Sequence, residues 1–178
     1  LDISAEKTVQ VNAGDSYIPD VPSEELAPLV EQGLITATVD FSAAGQCDAV
    51  AICVPTPLNE MKEPDTSFME TAANAITPYL HADMLVTLES TTYPGTTEEV
   101  IQPILERNGL KVGTDLYLAF SPERVDPGNP VYQTKNTPKV VGGVTSECTR
   151  HAVALYERFI DTVVPVSSTR AAEMTKLL

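Results

Sequence analysis

The sequence has no tryptophan, few aromatic residues and few bases. Among its 178 residues, eleven Lys and Arg face twenty-five Asp and Glu, a formal net charge of −14. A surface of that sign repels phosphate backbones, so nucleic acid is not an expected partner. An anionic small ligand stays compatible with it, because helix N-termini and a few placed Lys or Arg bind anions locally. No apolar run approaches membrane-spanning length, and the opening LDISAEKTVQ has neither the basic nor the apolar part of a signal peptide. A cytoplasmic protein with no membrane partner is therefore expected. The three cysteines, Cys47, Cys53 and Cys148, are odd in number and lack metal-ligand spacing. They read as reduced thiols with no metal, and Cys53, inside AVAICV, reads as a buried strand residue.

What is present is a 43% hydrophobic chain, long enough for one domain with its own core. Short apolar runs at Leu1–Ile3, Ile35–Val39, Ala49–Val54, Met84–Leu88, Leu116–Phe120, Lys139–Val141 and Thr162–Val166 alternate with helical patterns. The patterns cover Ser4–Asn12, Ser23–Gln32, Ser67–Leu80, Thr96–Asn108 and Ser146–Ile160. Strands nearly continuous in Val, Ile and Leu, separated by helices, predict an α/β fold with a doubly wound parallel sheet. In such a sheet ligands bind beyond the carboxyl ends of the strands.

Leu1-Asp2-Ile3 reads either as a solvated N-terminal aspartate, the commoner case, or as a strand with an acid at its tip, the second strand of a dinucleotide-binding unit. None of the nine glycines forms the G-x-G-x-x-G turn that belongs before it. The sheet is accordingly expected to be an incomplete Rossmann-like one, without its first strand and glycine-rich turn. At the other end, Met174, Leu177 and Leu178 share one helical face in AAEMTKLL, with no stop signal after them. His81 and His151 fall on predicted helices and read as surface or satisfied histidines.

Three loops carry candidate chemistry. In CVPTPL, prolines hold Thr56 away from helix, either as a strand-end turn or as a rigid wall against a cofactor. In LESTTYPGTTEEV, hydroxyls follow a strand and precede a helix, where they cap the turn or hold a ligand hydroxyl or water. In FSPERVDPGNP, Glu123 and Arg124 form a solvated pair, or Glu123 positions a water or orients a lysine.

Read together with YIPDVPSEEL, CVPTPLNEMKEPD, TPKVVGG and VPVSSTRAAEMTKLL, these stretches resemble the UDP-glucose/GDP-mannose dehydrogenase family across nearly the whole chain. The LESTTYPGTTEE and SPERVDPGNP stretches look most like the UDP-N-acetylglucosamine 6-dehydrogenases of that family. The resemblance implies an enzyme that oxidises the C6 alcohol of a UDP-sugar, here UDP-N-acetylglucosamine by preference, to the uronic acid with two NAD+, for surface polysaccharides. In the family the aldehyde is trapped by a cysteine and oxidised to a thioester. By the same resemblance Asp2 binds the adenosine ribose, with Lys7 beside it. Val54, Thr56 and Pro57 line the cofactor site, and Thr91 stands at the reacting centre and holds a water. Glu123 serves acid/base work or thioester hydrolysis, and Lys176 stabilises the developing oxyanion.

Several departures accompany the likeness. The family's nucleophilic cysteine belongs to a C-terminal substrate domain absent from this sequence, and none of the three cysteines takes its place. An asparagine partner of Lys176 would fall after Leu178. Where some members carry a second acid four residues past the position of Glu123, this chain has Pro127, with Asp126 beside it. Residues 1–168 are thus expected to form the rest of an NAD-binding domain and 169–178 the start of a central connecting helix. The whole protein is expected to dimerise through that helix, and the 178 residues alone to be inactive. The competing reading is a non-catalytic α/β nucleotide-binding module. A nucleotide-sugar transferase leaves Thr91, Glu123 and Lys176 without roles.

Overall fold

The computed structural model describes residues 1–58, 64–124 and 133–176. Asp126, Pro127, Leu177 and Leu178 lie outside them. Helix α1 (Ala5–Asn12) starts at Ser4, whose hydroxyl accepts from the Lys7 N–H, and α2 (Ser23–Glu31) starts with Glu24 and Glu25 in its first turn. Both starts follow the sequence cues, a side-chain oxygen or carboxylates beside free N–H groups.

The segments Leu1–Ile3 and Ile35–Val39, expected as strands, run without strand structure. The Asp2 N–H donates to the Thr38 carbonyl at 3.2 Å. Their next backbone groups are taken by a side chain: the Asn12 amide donates to the Ala37 carbonyl and accepts from the Ala37 N–H, each at 2.8 Å. An amide that satisfies both groups of one residue does the work of a neighbouring strand without building a ladder.

The sheet runs in the order β1 (Ala49–Ile52), β2 (Leu85–Leu88), β3 (Tyr117–Phe120), β4 (Lys139–Gly143), β5 (Val163–Pro165). α3 (Ser67–Ile76) crosses from β1 to β2. A π turn (Thr97–Ile101) leading into α4 (Gln102–Leu105) crosses from β2 to β3, and α5 (Ser146–Tyr156) crosses from β4 to β5. These three crossovers give parallel pairs, but β3 and β4 pair antiparallel. The sheet is therefore mostly parallel, as expected, with this one antiparallel pair. A parallel return needs a crossover, usually a helix, and the proline-rich stretch between β3 and β4 has no helical pattern.

The single helix expected over Thr96–Asn108 is also corrected. It is a π turn, a short α-helix and a 3₁₀ turn (Glu106–Asn108), with the Gln102 N–H reaching back to the Thr97 carbonyl. Pro103 has no N–H to offer the carbonyl of Glu99, and its ring crowds that carbonyl, which favours the wider winding.

β2 is buried throughout. Its Val86 and Leu88 enter one core with Met69, Ala73 and Ile76 of α3 and Ile104 and Leu105 of α4. Leu85 enters a second with Ala119, Val141, Ala152 and Tyr156. Two covered faces explain why this strand reads as continuously apolar. The last helix, α6 (Thr169–Met174), begins where the sequence placed it, capped by the Ser168 hydroxyl accepting from the Ala171 N–H. Its buried side differs from the expected one. Ala172 and Glu173 are buried and Met174 is exposed.

Candidate active site at the carboxyl edge of the sheet

The predicted site residues fall into two groups. Asp2 and Lys7 line a cavity of about 250 Å³ with Thr8, Tyr17 and Thr36. The Asp2 carboxylate accepts from the Ser4 N–H at 2.8 Å, and the Lys7 ammonium lies 5.4 Å from the centre of the Tyr17 ring. A carboxylate, an ammonium and hydroxyls around a space of this size fit the polyol end of a nucleotide cofactor.

The second group lies where β1, β2 and β3 end. Ser90 donates to the carbonyl of Val54 at 2.7 Å, so the exits of β1 and β2 are tied together. Thr56 sits in the first exit with its hydroxyl buried and without a partner among the described residues, while Pro57 is exposed. An orphaned hydroxyl costs free energy unless something supplies the missing bond, which fits a ligand against this loop.

The hydroxyl-rich loop after β2 divides its work. Thr92 and Thr96 are buried and share a hydrogen bond of 2.6 Å, and Thr96 also donates to the Tyr93 carbonyl. Those two shape the turn. Thr91 is exposed and stays available to a ligand. Gly95 turns the chain at φ +106°, a left-handed conformation that side chains resist. Its N–H donates to Glu173 Oε2, while the N–H and hydroxyl of Thr97 donate to Glu173 Oε1 at 2.9 and 2.6 Å.

α6 therefore carries two of the links at this edge. Through Glu173 it holds the loop of Thr91. Through the turn that follows it, it holds the segment after β3: Lys176 Nζ donates to the Glu123 carbonyl and the Arg124 guanidinium donates to the Thr175 carbonyl. The Glu123 carboxylate accepts from the Arg124 N–H at 2.7 Å. The helix can lie this close because β4 offers glycine beneath it. A methyl at Gly142 would stand 2.1 Å from the Ser168 carbonyl oxygen. Lys176 thus meets Glu123 at its backbone carbonyl, and the loop that contains Thr91 is tied to α6 by Glu173 at Gly95 and Thr97.

A second charged group here was missed by the sequence reading. Lys139 pairs with Glu89 at 2.8 Å, Tyr156 donates to the other oxygen of Glu89 at 2.7 Å, and the Lys139 ammonium lies 4.8 Å from the Tyr156 ring centre. Both ionic side chains are largely buried. Burial, followed by the Glu89 carboxylate, raises the Tyr156 phenol above its ordinary range. Glu89 directly follows β2 and Lys139 opens β4, so only the antiparallel return brings them together. Cys53 stands beside them. It is exposed, which corrects the expectation of a buried strand thiol, and it follows β1. Desolvation among its neighbours and then the charge of Glu89 push this thiol up to about 11. A thiol so rarely ionised is a poor nucleophile. His81 lies in the loop before β2, where its Nε2 meets the Cys47 carbonyl, and His151 on α5 stacks on Tyr117.

Among the described residues, no cluster of three or more His, Cys, Asp or Glu side chains is placed to hold a metal, and no helix is long and apolar enough to cross a membrane.

The arrangement has close counterparts. Residues 1–160 match the model of the UDP-glucose/GDP-mannose dehydrogenase family, NAD-binding domain. The chain is 36% identical to the UDP-N-acetyl-D-mannosamine dehydrogenase of Yersinia pestis, aligning over 99% of this chain and 43% of that protein. It is 31% identical to the UDP-N-acetyl-D-glucosamine 6-dehydrogenase of Pseudomonas aeruginosa, over 100% of this chain and 42% of that one. Among solved structures, a UDP-D-ManNAc dehydrogenase from Pyrococcus horikoshii superposes with a TM-score of 0.91 at 32% identity, covering 99% of this chain and 42% of the other. The chain thus spans less than half the length of these relatives. It is similar to them along its whole extent and belongs to the UDP-glucose/GDP-mannose dehydrogenase family, with residues 1–160 corresponding to that family's NAD-binding domain.

Proposed function

We propose that this chain is the cofactor-binding part of an NAD-dependent dehydrogenase that oxidises the C6 alcohol of a UDP-sugar to a carboxylate. The observation that carries the reading is the convergence on α6 of the Thr91 loop, Glu123 and Lys176 at the carboxyl edge of the sheet. Asp2 and Lys7 would hold the adenosine ribose in their cavity, and Val54, Thr56 and Pro57 would flank the cofactor at the exit of β1. Bound there, NAD+ supplies the hydride acceptor. Two equivalents and one water balance the conversion of an alcohol to a carboxylate.

The protein's own groups then have distinct tasks. Lys176, an ammonium on the turn that follows α6, would donate to the oxygen that becomes negative as C6 is oxidised. Thr91 would hold the substrate hydroxyl or a water, and Glu123 would take up or return a proton. None of the three cysteines is placed to take the covalent role. Cys148 is buried, Cys47 is half-buried, and Cys53 is held as the thiol. By this reading the 178 residues alone turn over no substrate. The full-length protein dimerises through the helix that begins at Thr169.

The relatives named for N-acetylmannosamine, N-acetylglucosamine and N-acetylgalactosaminuronic acid favour a UDP-sugar with a 2-acetamido group. UDP-N-acetylglucosamine is the first substrate to test. The experiment is NADH formation by the full-length protein against a panel of UDP- and GDP-sugars. Turnover with a UDP-N-acetylhexosamine is the expected result. Tight NAD binding without oxidation of any sugar would favour the non-catalytic module instead.

A further inference from the structure

Glu173 has no solvent-exposed surface, and it lies three residues before Lys176, one helical turn away. Its carboxylate accepts from two backbone N–H groups and one hydroxyl, all on the loop that begins with Thr91. Among the described residues, the Gly95 and Thr97 N–H groups beside the winding from Thr97 to Leu105 have no other acceptor. Arg170, the nearest base on the same helix, is engaged outside by Glu98 and Glu99. Thr169 adds a bond to Glu98. A buried carboxylate against N–H donors is a strong, directional tie, and its three bonds fix where the loop stands relative to the helix.

We infer that Glu173 is a positioning residue for the oxidation proposed above, setting the Thr91 loop against Lys176 so that both reach one reacting carbon. The inference rests on that functional reading. Glutamine at 173 keeps the volume but replaces one acceptor oxygen by an NH₂ that faces N–H donors, so at least one of the three bonds is lost. A shift of about 1 Å between two groups acting on one atom lowers turnover about a hundredfold. The cofactor's adenosine end, held at Asp2 and Lys7, should not notice.

The test uses the full-length protein with NAD+ and its sugar substrate. Glu173→Gln is expected to lower kcat on the order of a hundredfold, with less than about a threefold change in NAD+ affinity. In a Thr91→Ala background the same substitution should cost less than about threefold, because residues that act as a unit are not additive. Equal losses in both backgrounds, or an unchanged kcat, would overturn the inference. Should Glu173→Gln fail to fold, Thr97→Val removes one hydroxyl donor and should show the same non-additivity with a smaller loss. Hydrogen exchange at the Gly95 and Thr97 amides separates the two levels. Slow exchange in the wild type that becomes fast in Glu173→Gln supports the tie whatever the substrate. Fast exchange in the wild type refutes it. A protected loop in a protein that oxidises no nucleotide sugar would instead sink the functional reading and the positioning role with it.

Discussion

The segment around Asp2 and the edge around α6 are built to different tolerances. Near Asp2, the extended segments meet through an Asp2–Thr38 backbone bond and the Asn12 amide, and Ile3, Val9 and Leu34 stay exposed at 81%, 68% and 68%. Around α6, Thr169, Ala172 and Glu173 have no exposed surface, and the helix rests on glycine. The roles proposed for the two regions make different demands. A pocket for the part of a cofactor that does not react needs only to bind it, whereas groups that act on one carbon must be placed within a fraction of an ångström.

The comparison can be broken from the strong side first. Lys139→Met leaves Glu89 buried beside Tyr156 without its cation, and should cost about 3–5 kcal/mol in urea unfolding. A loss below about 1 kcal/mol would mean the pair is effectively solvated. Gly142→Ala drives a methyl into the Ser168 carbonyl and should cost about 1–3 kcal/mol, with faster amide exchange in α6. An undisturbed α6 would show that its seat is softer than described.

On the other side, Asn12→Ala should cost about 1 kcal/mol. It should speed exchange of the Ala37 amide while the amides of β2 stay protected. Loss of protection in β2 as well would mean the two regions are one cooperative unit.

The smallest effects lie in alkali. The Tyr156 phenol and the Cys53 thiol both have raised folded-state pKa values, so their neutral forms favour the fold. That contribution is whole below the unfolded values of 9.0 for the thiol and 10.0 for the phenol, and declines as pH rises past them. Stability flat across neutral pH and falling above about pH 9 is expected, and Cys53→Ser should remove the first part of the fall. Cys53 should also be alkylated about tenfold more slowly than an ordinary cysteine near neutral pH, despite its exposure.

Much of this was legible in the sequence. The helix starts at Ser4 and Ser23 follow from side-chain capping or first-turn carboxylates, the start at Thr169 from the family resemblance, and β2 announced itself by being apolar on both faces. Glu123 and Lys176 were named by the family resemblance, and the Lys176 ammonium lies on the Glu123 backbone carbonyl. What stayed hidden depends on long-range pairing. Nothing local to Glu89 or Lys139 says they meet, since that requires β4 to run back along β3. Nothing local to Glu173 marks it either, because its donors lie more than seventy residues away. The proline-rich stretch after β3 did hold a clue to the antiparallel return, in its lack of any helical pattern. The wide turn at Thr97 had its clue in Pro103.

The division of labour between the two regions has one direct test in the full-length protein: NAD+ affinity and turnover measured side by side for Asp2→Ala and Lys176→Ala. The account predicts that Asp2→Ala weakens NAD+ binding about tenfold or more while turnover at saturating cofactor is largely kept, the loss of ribose contacts being a loss of uniform binding. It predicts that Lys176→Ala leaves NAD+ affinity unchanged and lowers turnover by about 10²–10³. Lys176→Ala with near-normal turnover, or Asp2→Ala with undiminished cofactor affinity, would contradict it.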